Sequence, residues 1–165
     1  MLVEVKVVAE SSNEHFQHSL PPSPEVPILR ILVVDDYPDS ADSLAEVLKC
    51  LGHNVHVSYD GESALATAVL FRPHICLLDL AMPGMDGLEL AALLKAGAGI
   101  SPLLLIATTA FGDWETKTHT ALAGFHYHLT KPVDLAALVE AITKLGKLLE
   151  GFSRKKEPSE ESLLD

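Results

Sequence analysis

Short apolar runs alternate with segments of helical periodicity along most of the chain. Segments such as ILRILVV and HICLLD are of strand length and nearly continuously apolar, which is typical of strands buried on both faces. The segments between them repeat apolar residues at three- and four-residue spacing, which indicates amphipathic helices. Strands are predicted at residues 28–34, 54–59, 74–79, 103–109 and 125–129, and helices at residues 37–52, 60–71, 86–96, 113–123 and 133–149.

Five strand–helix pairs in succession predict an α/β fold, a doubly wound five-stranded parallel sheet with helices on both faces. A flavodoxin-like (βα)5 order, 2-1-3-4-5, would make strands one and three neighbours. The predicted domain spans residues 28–149. Residues 1–27 are expected to form an N-terminal extension with a short alternating strand and a Pro/Ser-rich linker, and residues 150–165 are expected to form a disordered charged tail.

Charge and cysteine content narrow the classes of function. The 165 residues carry a formal net charge of -11, which argues against direct nucleic-acid binding, because such binding needs Lys and Arg to displace phosphate counterions. The two cysteines have no CxxC spacing, so a reducing compartment is favoured. Neither a signal peptide nor a membrane-spanning run is indicated, and a cytoplasmic protein without membrane contact is expected.

Candidate chemistry lies where the predicted strands end. Asp35 and Asp36 follow strand one, Asp79 closes strand three, Thr109 closes strand four, and Lys131 follows strand five. Parallel strands bring these ends to one edge of the sheet, where ligands bind in such folds. Clustered carboxylates repel one another, and Mg²⁺ relieves that repulsion. A carboxylate beside Mg²⁺, with a hydroxyl and an ammonium group, is equipped to attack a phosphoryl group.

Four segments resemble the receiver domain of two-component response regulators, including the receivers associated with hybrid histidine kinases. They are RILVVDDYPDSA, LLDLAMPGMDG, IATTAFGD and GFHYHLTKPVD, and the resemblance covers residues 28–149. It implies a switch in a signalling system or phosphorelay rather than an enzyme, with at most self-phosphorylation and autodephosphorylation. Because only the 16 residues 150–165 follow the last predicted helix, too few for an output domain, a stand-alone receiver is expected.

The resemblance also implies a role for each site residue. Asp79 would accept a phosphoryl group from a sensor histidine kinase or a histidine phosphotransfer protein. Asp35, Asp36 and Asp79 would hold Mg²⁺ together with the backbone carbonyl of Ala81. The implied ligands of the phosphoryl oxygens are Thr109 and Lys131, and the Lys131–Pro132 peptide bond would be cis.

The expected output is a shift of the face made by helix four, strand five and helix five, which a downstream effector protein reads. Formation of a homodimer on phosphorylation is a further possible output. Three residues depart from the family pattern. His128 stands where an aromatic switch residue is usual, and Ala81 and Phe111 offer no polar group to position water. We therefore expect slow autodephosphorylation.

Several residues have simpler interpretations. Asp36 could cap the first helix, and the capping interpretation is preferred for Asp86. Thr109 could simply be the last residue of a strand without a further role, and Lys131 could be a solvated surface lysine. His126 and His128 are two apart on a predicted strand and could ligate a metal, but no further ligand stands at suitable spacing.

Three alternative functions stay open at this point. The chain could be a receiver detached from a hybrid histidine kinase that acts as a phosphorelay intermediate. An Asp-nucleophile phosphohydrolase would need a general acid two residues after Asp79, where Ala81 stands. A flavin-binding protein of the same fold would need a Ser/Thr-rich phosphate loop after strand one, and none is present.

Overall fold

A computed structural model describes residues 27–97, 99, 102–110, 112 and 114–154. The strands are β1 Arg30–Val34, β2 Asn54–Ser58, β3 Ile75–Asp79, β4 Leu104–Thr109 and β5 Tyr127–Thr130. The helices are α1 Pro38–Cys50, α2 Gly61–Phe71, α3 Gly87–Ala96, α4 Trp114–Leu122 and α5 Leu135–Arg154. The five strands form one parallel sheet in the order β2-β1-β3-β4-β5, which confirms the predicted fold.

Two apolar layers cover the sheet, one on each face. Ile31 and Val33 of β1 pack in the layer beneath α1 and α5, whereas Leu32 and Val34 pack in the layer beneath α2 and α3. All five residues of β3 are buried, because this central strand is covered on both faces. The double coverage explains why the strands appear in the sequence as continuous apolar runs rather than as alternating ones.

Polar side chains cap the starts of α2 and α3, and the alternative interpretation of Asp36 as a helix cap is wrong. Asp60 accepts the Ser63 N–H at 2.7 Å, and Asp86 accepts the Glu89 N–H at 2.8 Å, so the predicted cap at Asp86 is confirmed. Asp36 does not cap α1, since the residue before this helix is Tyr37, which has no side-chain cap. The carboxylate that accepts the Tyr37 N–H belongs instead to Asp35, at 3.0 Å.

Most boundaries differ from the predictions by one or two residues, and two of the differences have a clear cause or consequence. Strand β5 begins at Tyr127 rather than at residue 125, because the Phe125 N–H returns to the Thr120 carbonyl at 3.0 Å. Helix α5 continues to Arg154, so residues 150–154 are helical and not part of a disordered tail. The predicted N-terminal strand, the linker and residues 155–165 lie outside the described residues. Within the described part, no helix has the length and hydropathy needed to cross a membrane.

Candidate functional site

Three carboxylates converge at the carboxyl edge of the sheet. Asp35 follows β1 and Asp79 ends β3, which is its neighbour, so the strand order alone brings them together. Asp35 is 1% exposed and Asp79 is 4% exposed, whereas Asp36 is exposed. One oxygen from each of the three carboxylates lies within 4.8 Å of the others. Such crowding is unfavourable unless a positive charge is shared among the carboxylates.

Lys131 supplies one positive charge to this cluster. Its Nζ lies 2.9 Å from Asp35 Oδ2 and 2.9 Å from Asp79 Oδ2. Burial would lower the pKa of Lys131, but the hydrogen bonds to the two carboxylates outweigh burial and raise the pKa. The backbone N–H of Lys131 donates to the Thr109 carbonyl at 2.7 Å, and the peptide bond between Lys131 and Pro132 is cis, as expected.

Further hydrogen bonds fix the orientation of the two buried carboxylates. Asp35 Oδ2 accepts the hydroxyl of Ser40 at 2.8 Å in addition to the lysine. Asp79 Oδ1 accepts the Ala81 N–H at 3.0 Å, so its Oδ2 faces Lys131. The sequence reasoning missed Ser40, although its place in the first turn of α1, five residues after Asp35, is a usable signal.

Replacing Ser40 with alanine tests its hold on Asp35. We expect Ser40→Ala to lower the free energy of unfolding by about 1.5 kcal/mol, because a hydrogen bond to a buried charged group is lost. Ser43→Ala is the matched control, since that exposed hydroxyl bonds only the Asp39 carbonyl of its own helix. Urea unfolding at neutral pH in EDTA measures both variants. Equal losses in the two variants would contradict the expectation.

The carboxyl ends of β3 and β4 and the beginning of α3 lie close together next to the cluster. Thr108 pairs with Asp79 in the sheet register, and the Leu80 N–H donates to the Thr108 carbonyl at 3.0 Å. Gly87 opens α3 so close to β3 that a Cβ there would stand 2.4 Å from the Asp79 carbonyl oxygen. A side chain at residue 87 would therefore push directly on the backbone of Asp79.

Gly87→Ala should consequently destabilise the domain and disturb Asp79. We expect a loss of about 2 kcal/mol in the free energy of unfolding, because the clash is with backbone that cannot rotate away. Gly151→Ala is the control: it lies in α5, where a Cβ would have nothing within 4 Å, and alanine there should stabilise the helix by about 1 kcal/mol. Thermal or urea unfolding that shows the same change for both would be inconsistent with the close packing.

The remaining residues expected at the site are placed as follows. Thr109 ends β4 and is 1% exposed, beside the backbone of Lys131. Ala81 approaches Asp79 through its N–H, and its carbonyl stays a predicted ligand. Phe111 lies outside the described residues. His128 lies on β5 with its Nδ1 3.4 Å from the Thr120 hydroxyl of α4.

The paired-histidine metal hypothesis finds no support in the described part of the chain. His126 precedes β5, and its Nδ1 accepts the Leu105 N–H at 3.0 Å. Within the described ranges, the acid cluster is the only group of three or more ligands placed to hold a metal ion. Its donors are hard oxygens, which is the donor type that Mg²⁺ prefers. Three carboxylates against one ammonium leave a formal charge of -2, so the cluster fits a divalent cation.

Comparison with known proteins identifies the class. Residues 31–143 match the response regulator receiver domain. The chain is 37% identical over 112 residues to the DNA-binding response regulator MtrA of Mycolicibacterium smegmatis, covering 68% of this chain and 49% of that one. It is likewise 37% identical over 112 residues to a 14.6 kDa protein of Leptolyngbya boryana, of which it covers 86%. The chain belongs to the response regulator receiver family, and it spans about half the length of the MtrA proteins that it matches.

Solved structures agree with the fold. The chemotaxis protein CheY4 of Vibrio cholerae superposes with a TM-score of 0.68 at 24% identity, covering 72% of this chain and 99% of that one. A CheY-like receiver domain from Methanospirillum hungatei gives a TM-score of 0.68 at 27% identity, with coverage of 76% and 99%. Receiver domains are phosphoacceptor switches rather than conventional enzymes, and this is the general function that membership implies.

Proposed function

We propose that this chain accepts a phosphoryl group on Asp79 from a sensor histidine kinase or a histidine phosphotransfer protein, in a reaction that needs Mg²⁺. The observation that carries the proposal is the placement of a buried carboxylate at the end of β3. Asp79 is only 4% exposed, yet its Oδ2 contacts Lys131 and its carboxylate faces those of Asp35 and Asp36. A buried acid crowded by two further carboxylates and a lysine at the end of a strand supports a functional role for Asp79.

The chemistry of transfer follows from these contacts. A lone pair of an Asp79 carboxylate oxygen forms a bond to phosphorus, while the phosphorus–nitrogen bond of the donor phosphohistidine breaks and its electron pair returns to the imidazole. Lys131 lies close enough to balance the negative charge of the incoming oxygens. Asp35 and Asp36, with Asp79 and the Ala81 carbonyl, are the residues that would hold Mg²⁺, which supplies further positive charge when bound.

The proposed output surface is the face formed by α4, β5 and α5. Strand β5 is at the edge of the sheet and carries both His128, which contacts α4, and the segment leading to Lys131. Thr109 and Lys131 would approach the phosphoryl oxygens, and their shift would bias the equilibrium of this face. A downstream effector protein would read that shift in the cytoplasm, without direct contact with nucleic acid or membrane, and a phosphorylation-dependent homodimer is one form of output.

The lifetime of the phosphorylated state should depend on Ala81. This exposed residue stands two positions past Asp79 and cannot orient an attacking water molecule. We expect Ala81→Asn to accelerate loss of the phosphoryl group by on the order of tenfold, about 1.4 kcal/mol in activation free energy. Decay of the phosphorylated protein, followed by intact mass, measures the rate, and Ala66→Asn on the exposed side of α2 serves as the control. A decay unaffected by Ala81→Asn would remove this explanation.

Acetyl phosphate provides a test of the proposed function without a partner protein. Incubation of the full chain with acetyl phosphate and Mg²⁺ should add one phosphoryl group, detected by intact mass, and EDTA should prevent the addition. Asp79→Asn should abolish it, while Asp86→Asn, which alters a cap in the following loop, should not. Equal labelling of wild type and Asp79→Asn would refute the proposal.

A further inference from the structure

Three histidines occupy equivalent positions at the opposite edge of the sheet from the acid cluster. His53, His74 and His126 each stand directly before a strand, namely β2, β3 and β5. Each ring accepts a hydrogen bond from the backbone of a neighbouring strand, or from the residue just before that strand. The Nδ1 atoms accept the N–H groups of Leu29 at 3.4 Å, Arg30 at 3.0 Å and Leu105 at 3.0 Å, respectively.

These contacts fix the protonation of each ring. A backbone N–H can only donate, so the Nδ1 that faces it must be without a proton, and the neutral ring carries its proton on Nε2. Protonation of Nδ1 would set two donors against each other and deprive a partly buried N–H of its acceptor. Because leaving such a group unsatisfied costs roughly 1–3 kcal/mol, these three hydrogen bonds persist only with neutral imidazoles.

The surroundings of the rings also disfavour an added charge. Burial lowers the pKa of all three histidines. The positive charge of Arg30 on β1 lowers the pKa of His74 further, and Lys95 on α3 does the same for His126. His74 lines an apolar cavity that extends to α5. Glu150 of α5 is the one acid among the residues that line this cavity. The backbone N–H of His53 donates to the Leu48 carbonyl of α1, and no charged neighbour shifts its pKa.

We infer that His53, His74 and His126 form an acid-sensitive clamp that ties β2, β3 and β5 to their neighbours and that releases on acidification. The clamp acts at both edge strands and at the central strand. Two of the clamped strands lead to the acid cluster at their far ends, since β3 ends in Asp79 and β5 leads to Lys131. Acidification therefore loosens β3 and β5 at their amino ends, while the acid cluster lies at their carboxyl ends. This inference does not depend on phosphorylation of the chain.

The direction of the effect follows from proton binding. An unfolded histidine takes up its proton near pH 6.5, whereas the folded ring, with its lowered pKa, takes it up at lower pH. The stabilising contribution is complete above about pH 6.5 and is lost as the pH falls from there toward the folded pKa. At pH 5.5, each ring that stays neutral in the folded state lowers the folding constant by up to about tenfold relative to neutral pH.

Asparagine replacements test the clamp, because asparagine offers an oxygen acceptor that does not titrate. The full chain and the triple variant His53→Asn, His74→Asn, His126→Asn are unfolded in urea at pH 7.5 and 5.5. We expect the folding constant of the wild type to fall between these pH values by at least tenfold more than that of the triple variant. His119→Asn, on the exposed side of α4, should behave as the wild type. Equal losses in wild type and triple variant would overturn the inference.

A second measurement keeps the inference testable if the triple variant does not fold. Long-range proton–nitrogen spectra of the wild type report which ring nitrogen carries the proton. We expect all three rings in the Nε2–H form at pH 7.5, with titration midpoints below 6.5. Rings protonated on Nδ1 at neutral pH, or midpoints at or above 6.5 for all three, would contradict the clamp.

Discussion

Lys131→Ala is expected to weaken the fold in the absence of a divalent cation and to tighten binding of Mg²⁺. The ammonium group contacts Asp35 Oδ2 and Asp79 Oδ2 at 2.9 Å each, and these are oxygens that a metal ion would use. Its removal leaves the buried carboxylates without their counter-charge, at a cost of about 2 kcal/mol after discounting for its partial exposure. Loss of a neighbouring positive charge should raise Mg²⁺ affinity about tenfold.

Urea unfolding in EDTA and in Mg²⁺, together with calorimetric titration of Mg²⁺, measures both effects. Lys144→Ala is the matched control, because Lys144 forms an exposed pair with Glu140 within α5, and such pairs contribute about 0.5 kcal/mol or less. The loss in Lys131→Ala should be largely recovered by Mg²⁺. If Lys131→Ala and Lys144→Ala lose equal stability and Mg²⁺ affinity is unchanged, then Lys131 does not bridge the two acids in solution.

Asp35→Asn is expected to reduce Mg²⁺ affinity by at least about a hundredfold, or roughly 2.7 kcal/mol. Asparagine keeps the size of the side chain and an acceptor for the Tyr37 N–H. It removes a negative charge, however. Its NH₂ group would also face the donors of Ser40 and Lys131, which Asp35 Oδ2 accepts in the wild type. Phosphorylation by acetyl phosphate should be lost with the metal ion.

The control for this variant is Asp39→Asn, an exposed acid in the first turn of α1 that does not belong to the cluster. Calorimetric titration of Mg²⁺ and labelling by acetyl phosphate should leave Asp39→Asn equal to the wild type. Retention of wild-type Mg²⁺ affinity in Asp35→Asn would exclude Asp35 as a ligand. Retained labelling in a variant that no longer binds Mg²⁺ would show that phosphoryl transfer does not need the metal ion.

The fold could be predicted from the sequence because each layer leaves a local signature. The strand ILVV and its partner ICLLD are buried on both faces, so their apolar runs are unbroken, and a parallel arrangement follows. The meeting of Asp35 and Asp79 needed only the order of the strands. The start of β5 was harder, because the turn that closes α4 reaches as far as Phe125, whose N–H donates to the Thr120 carbonyl five residues earlier.

Side-chain contacts between strands were beyond the sequence, because they join residues that lie far apart along the chain. The sequence leaves open a metal-ligand role for His126, yet its Nδ1 accepts a backbone N–H of β4. No local pattern distinguishes His53 and His74, since their acceptor role depends on the register of the neighbouring strand. Ser40 lay within reach of sequence reasoning, because serine in the first turn of a helix commonly bonds a nearby acid. The roles of Thr109 and of the Ala81 carbonyl stay predictions.

Chemical trapping of the phosphorylated residue tests the central claim most directly. Borohydride reduces an aspartyl phosphate to homoserine and leaves free carboxylates unchanged. The full chain is treated with acetyl phosphate and Mg²⁺, reduced, digested and mapped by mass spectrometry. We predict homoserine at residue 79 and at no other aspartate of the cluster. Homoserine at residue 35, 36 or 86, or a phosphoryl group that borohydride does not remove, would contradict the assignment of Asp79 as the phosphoacceptor.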